Sequence, residues 1–309
     1  MVVAPSLIAL DWGTSSLRAS LLDAAGDVMR TRTESWGTMR VPAGDFAAAF
    51  RAITDEWDCA DVPAVASGMI GSAIGWLIAP YCGTPVGADD LAAALVAVPD
   101  TALWVVPGVA TFGDRPDVMR GEETQIVGAL ALRAELAAHS RLVLPGTHSK
   151  WVEVTDGRIR DFTTFMTGEL FSVLRDHSIL GRGPAAISHN EPAGAEAFAR
   201  GVLAAQTELA GLAPLLFSAR ALTLVNRLDA SARLEYLSGL LIGDEIRCGL
   251  RHGLGPSALI GDAALCARYV AAFALVGLRD IPVIAGAADA GLWSMAVRSG
   301  LVPSVARVT

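Results

Sequence analysis

The chain has 309 residues, 52% of them hydrophobic and 18% charged, which is enough apolar material for one large or two smaller domains and excludes general disorder. A net charge of −8 argues against a broad nucleic-acid footprint, because phosphate backbones are held by clustered Lys and Arg, whereas a small anionic substrate needs only a local positive site. The four cysteines (Cys59, Cys82, Cys248, Cys266) have no paired spacing, so neither a disulfide framework nor a structural zinc site is expected.

In chain order, Leu7 to Leu10 is a compact apolar run that ends at Asp11. It has no basic flank and is too short for a signal peptide. No apolar run is long enough to cross a bilayer, so a cytoplasmic protein without membrane partners is expected. Gly13 gives the backbone freedom for a turn. Leu17, Ala19 and Leu21 then alternate with Ser16, Arg18 and Ser20, which predicts a strand with one buried face. Ala25-Gly26-Asp27 reverses the chain into a third strand. Phe46, Phe50, Ile53 and Trp57 have helical spacing. Val62 to Ala66 predicts a buried strand running into SGMIGSAIGW, a Gly/Ser-rich loop, and Leu103 to Val106 another strand. A composition shift at Gly113 to Asp117 suggests a domain boundary. MRGEETQ then opens a helix expected over residues 122–138.

The strand–turn–strand–turn–strand plan of the N-terminus returns over Arg141 to Phe165, and both first turns carry Gly-Thr, at Gly13-Thr14 and Gly146-Thr147. The remainder is rich in Ala and Leu. A helix is expected over 234–250, where Gly239 and Gly243 would let another backbone approach. Strands are expected at 258–261 and 282–285, and helices at 264–276 and 292–297. This alternation indicates α/β layering.

Asp11-Trp12-Gly13-Thr14-Ser15-Ser16 places a carboxylate at a strand end, followed by Gly and hydroxyl residues. Taken alone, these are the ordinary residues of a β-turn. They also suit Mg²⁺-nucleotide binding: Asp11 can hold the metal through water, and turn N–H groups and hydroxyls can donate to phosphate. The second turn, Gly146-Thr147-His148-Ser149-Lys150, favours that use, because a triphosphate needs two grips. Lys150 is equally readable as a phosphate ligand or a solvated strand end. Neither turn is a Walker A loop, and no GxGxxG follows a strand. His139, His177, His189 and His252 show no metal spacing.

LIALDWGTSSLR, SGMIGSAIGW, MRGEETQ, LPGTHSKW, TGELF and SGLLIGDE, in this order and over essentially the whole chain, resemble the 2-dehydro-3-deoxygalactonokinase family. The resemblance implies an α/β fold of two ribonuclease-H-like, actin/hexokinase-type domains flanking an ATP cleft. Residues 1–117 would carry the first phosphate loop and a sugar-acid loop. Residues 118–309 would carry the second phosphate loop and the adenosine pocket, with the last helix packing on the first domain. It also implies ATP and Mg²⁺ as cofactors, and γ-phosphoryl transfer to the C6 hydroxyl of 2-dehydro-3-deoxy-D-galactonate in galactonate catabolism.

Carried over by motif, Asp11, Gly13, Thr14, Ser15 and Ser16 form one phosphate loop, and Gly146, Thr147, His148 and Lys150 the other. Gly261, Gly286, Ala287 and Asp289 border adenosine. Related carbohydrate kinases place an Asp after Gly at a helix start as general base. Here Glu122 and Glu123 follow Gly121, and Glu122 is favoured narrowly. Ser67, Gly68, Met69, Gly71, Ser72 and Trp76 would form the sugar-acid loop, with Arg18, Arg120 and Glu169 as further substrate contacts. Arg18 is equally readable as half of a strand salt bridge.

Other sugar or sugar-acid kinases, a polyphosphate or nucleotide phosphohydrolase, and an actin-like assembly ATPase are the competing readings. A phosphohydrolase would not need the SGMIGSAIGW loop, and an assembly protein would carry larger insertions. The sequence does not choose between a monomer and a homodimer.

Overall fold

In the computed structural model, which describes residues 4–303 apart from 58, 60, 184, 185, 190, 209, 210, 252 and 254, the opening residues fold as expected. Strands β1 (Pro5–Trp12), β2 (Leu17–Asp23) and β3 (Val28–Glu34) form an antiparallel meander. There follow α1 (Phe46–Thr54), β4 (Ala64–Ser67), β5 (Tyr81–Gly83), β6 (Val86–Gly87) and α2 (Ala88–Ala93). Then come β7 (Val96–Ala97), β8 (Leu103–Val105), β9 (Gly108–Thr111), β10 (Asp117–Met119) and α3 (Glu122–Leu132).

The main sheet has the order β3-β2-β1-β4-β8-β7, with β1, β4 and β8 parallel. Its core is a cluster that includes Ile8, Leu10, Trp12, Leu17, Ile53, Trp57 and Val105. The Trp12 ring is fully buried, and its indole N–H donates to the Trp36 carbonyl at 2.8 Å, so the large ring carries no unpaired donor.

Further along lie β11 (His139–Leu144), β12 (Ser149–Thr155), β13 (Arg158–Phe165) and α4 (Thr167–His177). Four helices follow: α5 (Pro192–Thr207), α6 (Leu212–Leu216), α7 (Ser218–Leu224) and α8 (Arg233–Leu250). The described residues close with β14 (Ala258–Ile260), α9 (Ala263–Leu275), β15 (Val283–Ile284) and α10 (Ala287–Arg298).

Two compact units result. One holds the residues up to 140 with 152–162 and those from 284 onward; the other holds 141–151 and 163–283. The composition shift at residues 113–117 therefore lies inside the first unit, where it is the turn of the β9–β10 hairpin. In the second unit β11 runs parallel to β14, and α5, α8 and α9 enclose a core with Trp151, Phe198, Ile246, Tyr269 and Phe273.

Four local expectations are revised. The helix opened by MRGEETQ ends at Leu132, because the carbonyls of Ala137 and Ala138 accept from Gly157 and Asp156 and so cannot belong to a continuing helix. Strand β2 is buried on both faces from Ala19 to Leu22, since β1 and its sheet also carry α10. Helix α10 begins at Ala287, not Leu292: the GAADAG stretch before the expected start is already helical, and its small residues are the contact surface with α3. A Cβ on Gly291 would lie 1.9 Å from the Thr124 carbonyl oxygen, and one on Gly128 1.8 Å from that of Ala287. The small sheet β10-β9-β5 was not foreseen, as its strands are too short to show a period. The close approach expected at Gly239 is present: a Cβ there would lie 2.1 Å from the Phe198 carbonyl oxygen on α5. No helix among the described residues is long and apolar enough to cross a membrane.

Candidate active site

In the first unit, three backbone segments converge where β1 and β4 end. Asp11 is the register partner of Ser67 in the parallel β1–β4 pair and of Arg18 in the antiparallel β1–β2 pair. The next residue on β4's side, Gly68, has φ +96°, and a Cβ there would lie 2.7 Å from the Trp12 carbonyl oxygen. Gly121, at φ +109°, is pressed against Gly68 in turn: a Cβ on Gly121 would lie 3.3 Å from the Gly68 Cα. Both conformations are open to Gly at little cost. Strand end, loop and the N-terminus of α3 thus meet with no side chain between them.

Gly13, Thr14, Ser15 and Ser16 form the turn beyond Asp11. The Gly13 N–H donates to the Ser16 carbonyl at 3.0 Å, and the last three residues are exposed. The turn is braced from behind. Thr38 and Met39 N–H groups donate to the Gly13 and Thr14 carbonyls, and Gly37 packs so tightly that a Cβ would lie 2.3 Å from Thr14 backbone. Arg18 faces Asp289, on the first turn of α10, at 3.5 Å. Burial pushes the Asp11 carboxyl above its ordinary range; the Arg18 charge opposes that shift and the Asp289 charge adds to it. Gly286, Ala287 and Asp289 thus stand in the first unit beside β1, whereas Gly261 belongs to the second.

The two glutamates of α3 are inequivalent. Glu123 is fully buried; both its oxygens accept the Gly121 N–H, at 2.7 and 2.9 Å, and the Thr124 hydroxyl donates to it at 3.1 Å. Burial first, and the adjacent Glu122 charge second, push the Glu123 carboxyl up to about 7. Glu122 is half-buried and accepts the Arg120 N–H at 3.0 Å. Because the folded-state pKa of Glu123 lies above the unfolded one, its contribution to stability is full below about pH 4.5 and is lost as pH rises through about 7. Unfolding free energies measured across that window should fall more for the wild type than for Glu123→Gln, by a difference on the order of 3 kcal/mol.

The SGMIGSAIGW loop divides by burial. Ser67, Gly68 and Gly71 are buried, and Met69 and Ser72 are half-buried. The Ser72 hydroxyl donates to the Met69 carbonyl at 2.7 Å, closing the loop on itself. Trp76 stacks on Phe46, with centroids 6.3 Å apart and planes at 25°, against the main core.

In the second unit, Gly146, Thr147 and His148 form the turn after β11, with the latter two exposed. Its neighbour is the start of α4. The Glu169 N–H donates to the Thr147 carbonyl at 3.0 Å, a Cβ on Gly168 would lie 2.5 Å from the Gly146 carbonyl oxygen, and Glu169 hydrogen-bonds His148. Lys150 is buried on β12, where its ammonium donates to the Thr164 hydroxyl at 2.8 Å. Gly261 abuts the Pro145 carbonyl at the root of the same turn. His252 lies outside the described residues.

Two features of this unit escaped the sequence. Glu245 is buried and accepts from the Ser149 hydroxyl (2.7 Å), the Trp151 indole (2.8 Å), the Tyr269 hydroxyl (2.6 Å) and the Thr167 hydroxyl. Its signal was a carboxylate on the apolar face of the helix in SGLLIGDE. Burial raises the Glu245 pKa, and the four donors oppose that shift. Beside the turn lies a cavity of about 420 Å³ lined by Gly146, Thr147, Phe171, Leu265, Arg268 and Tyr269, among others. Its Arg268 is fixed by Glu235 at 2.9 Å and Ser238 at 2.7 Å. No group of three or more metal-ligating side chains occurs among the described residues.

A sequence profile of the 2-keto-3-deoxy-galactonokinase family matches residues 11–295, from the Asp11 turn through α10. The chain belongs to that family. It is similar to the 2-dehydro-3-deoxygalactonokinase of Escherichia coli (strain K12), at 37% identity over 94% of this chain and 97% of that one. Among solved structures it resembles a Sinorhizobium meliloti protein proposed to be a 2-dehydro-3-deoxygalactonokinase, with TM-score 0.87, 32% identity, and coverage of 96% and 100% of the two chains. It also resembles the ADPNP-bound activator of 2-hydroxyisocaproyl-CoA dehydratase from Clostridium difficile, with TM-score 0.51, 14% identity, and coverage of 98% and 100%. That last likeness speaks to fold alone, and with it this 2-keto-3-deoxy-galactonokinase family member has the expected α/β fold of the actin/hexokinase type.

Proposed function

We propose that this family member transfers the γ-phosphoryl group of ATP to the C6 hydroxyl of 2-dehydro-3-deoxy-D-galactonate, in the cytoplasm, as a step of galactonate catabolism. The observation that carries the reading is the α3 N-terminus. There Glu123 is sealed under its own backbone, while the half-buried Glu122 follows directly on the Gly121–Gly68 contact, where α3 meets the sugar-acid loop.

Glu122 accepts the C6 hydroxyl proton as that oxygen attacks the γ-phosphorus; the new O–P bond forms as the bond from the γ-phosphorus to the β–γ bridging oxygen breaks, and ADP leaves with that electron pair. The Arg120 N–H, donated to the Glu122 carboxylate at 3.0 Å, orients it at the N-terminus of α3 for this task. Gly68, Met69 and Gly71 offer close backbone approach to the sugar acid, and Arg18 supplies positive charge nearby. The exposed hydroxyls of Thr14, Ser15 and Ser16 are the phosphate donors of the first unit, and Thr147 and His148 those of the second. The cavity beside Gly146 and Thr147, with the apolar faces of Phe171, Leu241, Ile242 and Leu265, suits the nucleoside.

Mg²⁺ fits the residues present. Asp11 and Asp289 are oxygen donors near one another, and Asp289 adds to the upward shift of the Asp11 pKa, a repulsion that a dication relieves. Asp11 would hold it, with Asp289 as a second ligand. When bound with nucleotide it offsets phosphate charge.

The test is ADP release from ATP-Mg²⁺ with a panel of sugar acids. ADP formed in step with consumption of 2-dehydro-3-deoxy-D-galactonate, and more slowly with its gluconate-derived epimer, is expected. ADP formed at the same rate without any acceptor would overturn the kinase reading in favour of a phosphohydrolase.

A further inference from the structure

Arg120 is the residue of the first unit whose surroundings the reaction above leaves unexplained. Its side chain does not reach outward. Nη2 donates to the Ala79 carbonyl at 2.9 Å, the guanidinium lies 4.4 Å over the centre of the Tyr81 ring, and Nε and Nη1 are buried without a hydrogen-bond partner. Nη1 sits so close under Gly71 that a Cβ there would lie 2.9 Å from it.

These contacts mark both ends of one closed loop. Ala79 N–H donates to the Gly71 carbonyl at 2.9 Å, and beside that closure Trp76 N–H donates to the Ile70 carbonyl and Ser72 N–H to that of Met69. The guanidinium therefore lies beneath the point where the loop shuts. The backbone of the same residue ends on Glu122, whose carboxylate takes the Arg120 N–H at 3.0 Å. One residue thus touches the sugar-acid loop with its side chain and the base with its main chain.

A buried guanidinium with two idle donors is costly, and such a cost persists where the group holds something in place. Direct contact with a substrate carboxylate would require those donors to be open to the loop's outer face. They lie instead against Gly71 and the Tyr81 ring.

We propose that Arg120 is a positioning residue that clamps the underside of the 69–79 loop and registers it against Glu122, and that it does not itself bind the sugar acid. The inference rests on the reading of that loop and of Glu122 given above. Its consequence is that losing the guanidinium loosens the loop for every acceptor alike, charged or neutral.

The decisive measurement is amide hydrogen exchange on the ligand-free full chain, comparing wild type with Arg120→Met. Amides of residues 71–79 should exchange about tenfold or more faster in the variant, with little change in β1, β2 and α8. Tyr81→Leu, which removes the ring but keeps the guanidinium, should speed the same amides to a smaller degree. In steady-state assays, Arg120→Met should raise KM for the sugar acid about tenfold and leave KM for ATP unchanged. The neutral analogue bearing a hydroxymethyl group in place of the carboxylate should lose kcat/KM by the same factor.

Unchanged exchange in the loop overturns the proposal. So does a selective loss for the acid over the neutral analogue, which would make Arg120 a direct carboxylate ligand. Failure of the wild type to phosphorylate any sugar acid would refute the functional reading, and the exchange experiment would still decide the clamp.

Discussion

Glu122→Gln should lower kcat by roughly 10²-fold or more while KM for ATP stays within about a factor of two, because a carboxamide keeps the shape of the side chain and cannot take a proton. The expected loss sits at the lower end of the range for proton-transfer groups, since much of phosphoryl-transfer catalysis is positioning and charge neutralisation. Glu122→Asp should recover part of the rate, limited by a reach shorter by one methylene. Glu123→Gln is the informative partner. Its oxygens are occupied by the Gly121 N–H and the Thr124 hydroxyl, so its removal should cost less than tenfold in kcat while changing the pH dependence of stability. Glu122→Gln at full turnover would move the base to Glu123 or Glu169. Of these, Glu169 hydrogen-bonds His148 in the second unit.

The largest loss of stability is expected at Glu245. Replacing it with Leu leaves the Ser149 and Thr167 hydroxyls, the Trp151 indole and the Tyr269 hydroxyl without their common acceptor in a dry interior. Each orphaned donor carries a desolvation penalty, and the combined cost should reach roughly 3–5 kcal/mol, read as a lowered denaturant midpoint. Glu245→Gln keeps one carbonyl acceptor and should lose less. The damage should also be local. Ser149 closes the second turn and Thr167 opens the helix against which that turn rests, so a variant that still folds should bind ATP more weakly. A change below about 1 kcal/mol for Glu245→Leu would mean that the four donors find other acceptors.

Much of the site was legible because its grammar is local. A carboxylate at a strand end followed by Gly and hydroxyls, and the same plan repeated at Gly146-Thr147, are chemical statements made by adjacent residues. Gly121-Glu122 could be placed at a helix start for the same reason. What stayed hidden depends on residues far apart in the chain. Nothing near Arg18 announces Asp289, and nothing near Ser149 announces Glu245. Trp76 belongs by motif to the expected sugar-acid loop, yet its ring packs on Phe46 and Phe50, since periodicity cannot say which side of a loop faces the core. The start of α10 was set too late for a related reason: the small residues of GAADAG carry no apolar period, and here they permit two helices to touch.

That helix contact bears on how the protein is made. The face of α3 that carries Gly128, and the flank of β1 beside it, are covered by α10, the last helix among the described residues. On the ribosome, the N-terminal half can draw its meander together early, but the seat of α10 stays open until residues 287–298 emerge. Until then the nascent chain must keep that face without its native occupant, an interval in which chaperone binding or misassembly competes with folding. A member of this family shortened before residue 287 should be made as an incomplete first unit however well its second unit folds, and Asp11 would lack the helix that brings Asp289 and Arg18 together.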